Sequence, residues 1–309
     1  MGKYTILDAD EGLFLEQELE AMKSRDLDVM YPNLMGRRLF PLDMSTNEGA
    51  ETVAYRSYDM AGMAKLIANG ADDLPSVTVK SKKSVKQLYS IGDSFEYTQQ
   101  DIRSARMGMV PLDSKMMSAA RRAAMVTEDD LIFVGDSRVG YTGIVNDPNI
   151  SDVDAPAGAG GDTTWVEKTP DEIIADVSLA VNTIISGSKG VEAPTTMAIP
   201  TEQYGHISQT RMGDGSDVTI LNFILASNPY ISEIVPVYKL KGAIPVTGDS
   251  SDCAIFYDRN PDKLWVEIPM DFRAYSAQED GLKLKVPCEM RTGGLIIAYP
   301  LSVCRLDGI

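Results

Sequence analysis

Apolar and polar positions divide the chain into segments of different character. Residues 12–27 repeat apolar side chains at helical spacing, with Leu15, Leu19 and Met22 at i, i+4 and i+7 and Asp10 placed to cap the start. Pro32, Gly36 and Pro41 then break any regular element. A short amphipathic helix followed by extended chain has too little apolar surface to form a domain and reads as an arm that packs on something else. Residues 51–66 predict a first strand and residues 76–97 a longer, partly alternating second one. Between them Asn69, Gly70, Asp72, Asp73 and Pro75 supply turn chemistry. The second strand carries Lys80, Lys82, Lys83 and Lys86 but few large apolar side chains. A two-stranded ribbon is marginal in water, so one this polar needs a neighbouring chain to lie on or must tolerate mobility.

Pro111 opens a predicted helix over residues 111–130, rich in Ala and Met. Leu112, Met116, Ala119, Ala120, Ala123 and Ala124 give it a narrow face of mostly small residues, suited to a central strut lying close against a sheet or helix. Residues 147–168, rich in Gly, Ala, Asp and Pro, read as an extended loop. The next helix is the clearest in the chain. Thr169 is its N-cap, Pro170 takes the first position, Glu172 completes a capping box, and Ile173, Val177, Val181 and Ile184 repeat on one face before Gly187. A strand over 195–200, helices over 201–209 and 219–227, the stop Asn228-Pro229 and a strand in ISEIVPVYKL follow. From residue 253 the pattern is mainly β; Leu282, Leu284, Val286, Cys288 and Met290 alternate as a half-buried strand does. The fold class is α+β: arm, ribbon, strut helix, mixed unit and closing antiparallel strands.

Composition narrows the function classes. A chain of 309 residues holds one large domain or two intimately joined ones. No window approaches the roughly 20 consecutive apolar residues of a membrane span, and the N-terminus lacks the apolar run of a signal peptide, so synthesis in the cytosol is expected. A formal net charge of −16 argues against a tight grip on nucleic acid, which relies on Lys and Arg, while leaving room for loose contact. Cys253, Cys288 and Cys304 are odd in number and widely spaced without a C-x-x-C pair, and read as small buried hydrophobes.

Catalytic patterns are weak. The one histidine, His206, would have to serve any Ser-His-Asp or Cys-His site. No G-x-S-x-G elbow is present, ISGSKG at 185–190 is not a P-loop, and GAGGD at 158–162 lacks the flanking strand and helix of a dinucleotide loop. Asp147, Asp152, Asp154 and Asp162 lack the ligand spacing of a calcium loop and read as solvated loop acids. Glu128, Asp129 and Asp130 are adjacent on a helix, so they point to different faces and do not converge on one substrate. Lying at the unfavourable end of the helix dipole, they call for Arg or backbone-donor partners and read as a structural anchor. No catalytic residue, cofactor or metal ligand is assigned. The lysines at 80–86 have one aromatic nearby, Tyr89, and fit a charged ribbon meeting an acidic neighbour better than a nucleic-acid patch.

The segment AARRAAMVTEDDLIFVGDSRVGYTGIVNDP (Ala119 to Pro148) resembles the part of the major capsid proteins of tailed phages where an Ala-rich spine helix meets the pattern carried here by Glu128, Asp129, Phe133, Gly135, Gly143 and Asn146. The tail from Cys288 to Ile309 is similar to the closing peripheral-domain strands of that group, whose HK97-like fold is shared with encapsulin shells. With element order, the resemblance covers roughly residues 10–309. It implies an N-terminal arm (1–49), an extended β-hairpin loop (50–98), a peripheral domain with the spine helix (99–164), an axial domain (165–250) and closing, mainly peripheral strands (251–309). It also implies a non-enzymatic subunit that assembles with itself into hexamers and pentamers of an icosahedral virion shell around double-stranded DNA. Portal, scaffolding and decoration proteins would be partners, with scaffolding as a separate protein. Inter-subunit contacts would fall on Tyr55, Tyr58, Lys80, Lys82, Lys83 and Lys86. The closing strands after Asn260 contain no Asn, so the Lys–Asn cross-link of some members is not expected. Rival readings are an encapsulin-type compartment and a cytosolic α+β enzyme.

Overall fold

The computed structural model describes residues 32–61, 78–101, 103, 112–213, 215, 217–246 and 249–309; the helix predicted over 12–27 lies outside them. Helix α1 (Gly36–Leu39) is a single turn, and β1 (Leu42–Asp43) pairs parallel with Val266 and Glu267. β2 (Thr52–Ala61) and β3 (Thr78–Gln87) form an antiparallel hairpin, in register from Thr52 opposite Gln87 to Ala61 opposite Thr78. Neither pairs with any other described strand. The strand expected over 76–97 is two. Inward positions are even up to Ser84, Lys86 and buried Leu88, then odd in β4 (Tyr89–Thr98), where Phe95 and Tyr97 are buried. A one-residue change of phase turns every following side chain to the other face, and β4 joins a different sheet.

Helix α2 (Leu112–Phe133) buries Ala120, Ala124 and Glu128 at i, i+4 and i+8, while Ala119 and Ala123 are exposed. Its apolar stripe is thus narrower than the sequence suggests. The helix runs past Asp130 because Ile132 and Phe133 enter the core. β5 (Gly135–Asp136) and β6 (Tyr141–Thr142) reverse the chain. β7 (Ser151–Asp154) is a strand inside the segment expected to be loop; it pairs parallel with the last strand of the chain.

Helix α3 (Pro170–Gly187) has the expected bounds. The Thr169 N–H and hydroxyl both donate to the Glu172 carboxylate, at 2.8 and 2.9 Å. On its buried face Asp176 accepts from Lys168 Nζ at 2.5 Å and Trp165 Nε1 at 3.0 Å, which ties the preceding loop to the helix. β8 (Thr196–Ile199), α4 (Thr201–Gln209), α5 (Ile220–Ser227) and β9 (Glu233–Pro236) follow, then the hairpin β10 (Ile244–Val246) and β11 (Asp249–Ser251), and β12 (Cys253–Tyr257). The chain closes with β13 (Leu264–Glu267), β14 (Met270–Ala274), β15 (Gln278–Asp280), β16 (Lys283–Thr292), β17 (Gly294–Ile297) and β18 (Val303–Asp307). Val286, Cys288 and Met290 of β16 are buried as the alternation requires, but Leu282 precedes the strand and is 80% exposed.

Three sheets organise the residues from Leu34 onward. In one, β16 takes β4 along one edge while β14 and β15 share the other; α2 covers this sheet through Ala120, Phe95, Tyr97, Val286 and Cys288. A second is β1-β13-β17. The third, β7-β18-β12-β8-β9, is a wall between two cores. Cys253, Ile255 and Tyr257 of β12 face Phe40, Phe133 and Leu264, whereas Ala254 and Phe256 face Trp165 and the apolar side of α3. All three cysteines are free and buried.

Candidate subunit interface

Alternation gives the hairpin two faces. Val53, Tyr55 and Ser57 on β2, with Ser84 and Lys86 on β3, are half-buried and turn toward the chain's own frame. The Tyr55 ring meets Trp265 edge-on at 5.7 Å. Lys86 Nζ donates to the Leu295 carbonyl at 3.4 Å and lies 5.4 Å from the Tyr141 ring centre. Burial lowers its pKa, and the charge of Asp147 opposes that. The other phase, Ala54, Arg56 and Tyr58 with Ser81, Lys83 and Val85, is exposed. Register sets Tyr58 opposite Ser81, Arg56 opposite Lys83 and Ala54 opposite Val85.

Of the six residues singled out from sequence, Tyr55 and Lys86 are therefore engaged at the root of the hairpin with their own chain. Tyr58, Lys80, Lys82 and Lys83 are exposed. The four lysines, close together in sequence, do not form one patch: Lys80, Lys82 and Lys86 share a phase and Lys83 takes the other, with Arg56. Arg56 and Trp265 were not singled out. Strand periodicity over residues 52–58 would have found Arg56; nothing local signals Trp265, because β13 reaches the hairpin only through the fold.

The frame that carries the hairpin is fixed at the end of α2. Glu128, with a side chain 1% exposed, accepts from Arg37 Nε at 2.5 Å, and Arg37 also reaches Asp271 at 3.0 Å. Burial raises the Glu128 pKa against the pull of Arg37. Asp129 accepts from the Gly36 N–H at 2.7 Å and pairs with Lys239 at 2.8 Å; Asp130 pairs with the same lysine at 2.5 Å. The three carboxylates thus have the arginine and backbone-donor partners their sequence position demanded, plus a lysine, and they fasten the segment around α1 to the long helix. Just beyond, Gly135 adopts φ +76° and Gly143 lies directly on the Phe133 carbonyl. The Asn146 side chain accepts from the Gly143 N–H at 2.7 Å. Glu128, Asp129, Phe133, Gly135, Gly143 and Asn146 are therefore one corner, in which the helix ends and the backbone folds back on itself.

The weak catalytic candidates stay apart. His206 is half-buried on α4. A shallow groove between α3 and α5, lined by Ile174, Val177, Val181, Ile224 and Tyr230 among others, carries no carboxylate, amine, imidazole or thiol. Asp147 accepts from Thr142 and Asn149 within its own turn, and Asp152 lies 3.7 Å from Arg305. Among the described residues no group of three or more His, Cys, Asp or Glu side chains is placed to hold a metal ion.

A family model described as major capsid protein matches residues 62–309. The solved capsid of Myoviridae phage XM1 superposes with a TM-score of 0.81 at 16% identity, over 100% of both chains. A structure from Mycobacterium phage Bobi does so with a TM-score of 0.67 at 12% identity, over 97% of this chain and 98% of the other. These likenesses are of fold, and the fold is the HK97-like one. In sequence the chain is 28% identical over 130 residues to the type 1 encapsulin shell protein EncA of Myxococcus xanthus, a match that spans 42% of this chain and less than half, 45%, of that relative.

Proposed function

The chain belongs to the major capsid protein family, and from that membership we propose that it builds the icosahedral shell of a tailed phage, as hexamers and pentamers around a double-stranded DNA genome. The role is that of a structural subunit of the virion, made in the cytoplasm of the host. Residues 1–49 serve as the arm, 50–98 as the loop reaching over a neighbour, 99–164 and 251–309 as the peripheral domain, and 165–250 as the axial domain near the capsomer axis. Portal, scaffolding and decoration proteins join at the surface, and packaged DNA touches the inner face loosely, as a net charge of −16 favours.

One observation carries the reading: a hairpin of two ten-residue strands pairs with no other described strand and exposes Tyr58, Lys80, Lys82 and Lys83. Isolated two-stranded ribbons are marginal, so a neighbouring copy is the natural support. The likeness to EncA favours a second reading, an encapsulin-type compartment with the same shell and a protein cargo. The deciding experiment is negative-stain microscopy and analytical ultracentrifugation of the purified chain, with and without its genomic neighbours. Closed shells, or pentamers and hexamers, are expected; their contents, DNA or protein, separate the two readings. A monomer or dimer under every condition would overturn both.

A further inference from the structure

The sequence holds three Asp-Gly steps, at 214–215, 280–281 and 307–308, of which the last two fall wholly within the described residues. Such a step can rearrange without an enzyme. The glycine amide nitrogen attacks the aspartate side-chain carbon, water leaves, and a cyclic imide forms. Water then opens the ring at either carbonyl, returning aspartate or giving isoaspartate, in which the main chain runs through the side-chain carbons. Glycine favours this because it has no β-carbon to crowd the nitrogen and its backbone turns freely. The reaction needs an accessible carboxyl, a free amide and room to close the ring, so the fold decides which step reacts.

The two described steps are held in opposite ways. Asp307 is 8% exposed, and Arg305 Nε and Nη2 both donate to its carboxylate at 2.8 Å. The Gly308 N–H donates to the Asp252 carbonyl at 2.9 Å. Both reacting groups are thus engaged. Asp280 ends β15 as the register partner of Lys283, and Gly281 and Leu282 form the two-residue turn into β16. Gly281 alone takes a positive φ there, +62°, as in a type II′ hairpin. Asp280, Gly281 and Leu282 are all exposed. Among the described residues neither the Gly281 N–H nor the Asp280 carboxylate has a partner, and a β-carbon built at Gly281 would meet nothing within 4 Å.

We propose that Asp280-Gly281 is a site of spontaneous isoaspartate formation on the folded chain, while the contacts of Asp307-Gly308 protect the same dipeptide. The product is the chemical class taken by carboxyl methyltransferases that recognise isoaspartate, with S-adenosylmethionine as methyl donor. The change leaves mass and net charge unaltered but lengthens the main chain inside the turn. It falls between the last ladder pair, Asp280 with Lys283, and the Leu282 carbonyl, which accepts from the Gln99 N–H at 3.1 Å. The tip that carries Leu282, 80% exposed, is therefore reshaped as the protein ages.

The test incubates the purified chain at neutral pH, as unassembled subunit and as any particle it forms. Isoaspartate is followed with time by methyl labelling with such a methyltransferase and by fragmentation of the tryptic peptides 274–283 and 306–309. In the folded chain the first peptide should gain isoaspartate about tenfold faster than the second or more, because groups held by hydrogen bonds react only from an opened state. In urea the two rates should come within about threefold of each other, since no fold then separates them. Asp280→Glu keeps the charge but has a side chain too long for that ring; it should melt as wild type does and lose the label in peptide 274–283. Equal rates at the two steps of the folded chain would overturn the proposal. So would label at neither step, in subunit and particle alike, while the unfolded chain takes it at both, or label in peptide 274–283 that survives Asp280→Glu.

Discussion

Gly143 leaves no room for a side chain. A β-carbon there would sit 2.3 Å from the Phe133 carbonyl oxygen and 2.5 Å from the Val134 nitrogen. Those atoms cannot retreat, because the Ile144 and Val145 N–H groups donate to the Ile132 and Phe133 carbonyls at 2.9 and 3.0 Å. Gly143→Ala is expected to cost about 3 kcal/mol, read as a lower urea midpoint of the unassembled subunit at unchanged slope. Gly140, with φ +74° but nothing within 4 Å of a β-carbon, should lose only about 1 kcal/mol on the same change. An equal loss at the two positions would sink the close-approach argument. Sequence displayed Gly143, Glu128 and Asp129 as a pattern but not its reason. The partners of the two carboxylates, Gly36, Arg37 and Lys239, are about a hundred positions away along the chain, and only the fold brings them together. The split of the lysines, by contrast, was legible in principle from the two-residue period of a strand.

At the scale of elements, local chemistry decided what could be read. Helix α3 begins and ends where its caps say, since the capping box and the apolar face act within a few residues of each other. Three donors, the Thr169 N–H, the Ala159 N–H and the Thr169 hydroxyl, hold the Glu172 carboxyl below the usual glutamate range. A group with a depressed folded pKa contributes stability above its unfolded value and loses it as pH falls through the folded one. Thermal midpoints of wild type and Glu172→Gln should therefore differ at pH 6 and converge as pH drops below the ordinary glutamate value of 4.5. A gap of constant size from pH 6 to pH 3 would contradict this. The strand expected over 76–97 was misread for the opposite reason. Its division at Leu88 follows from a buried leucine packing over Gly293, some two hundred residues away, and nothing in the local pattern announces it.

For the whole molecule, the five-stranded wall joins the two large cores into one cooperative body. Neighbouring residues of β12 feed opposite sides, Ile255 one core and Phe256 the other. Ile255→Ala and Phe256→Ala should each remove about 2–5 kcal/mol and lower the same single calorimetric transition; two separated transitions would refute the shared wall. This arrangement was not legible, because strands buried on both faces, such as CAIFY in β12, read as unbroken apolar runs that do not say what lies on either side. Fold class and element order were legible, since they rest on periods and breakers that need no partner. The hairpin's attachment has a geometric consequence of its own. It leaves the body through Glu51 and Leu88, joined by one hydrogen bond from the Leu88 N–H to the Glu51 carbonyl at 2.9 Å. Ten residues at about 3.3 Å each make a lever of about 33 Å, so a tilt of about 10° at that joint swings its end by about 6 Å. A few backbone torsions at that fulcrum, with release of the Tyr55–Trp265 and Lys86–Leu295 contacts at the root, would follow a change of curvature without deforming either core.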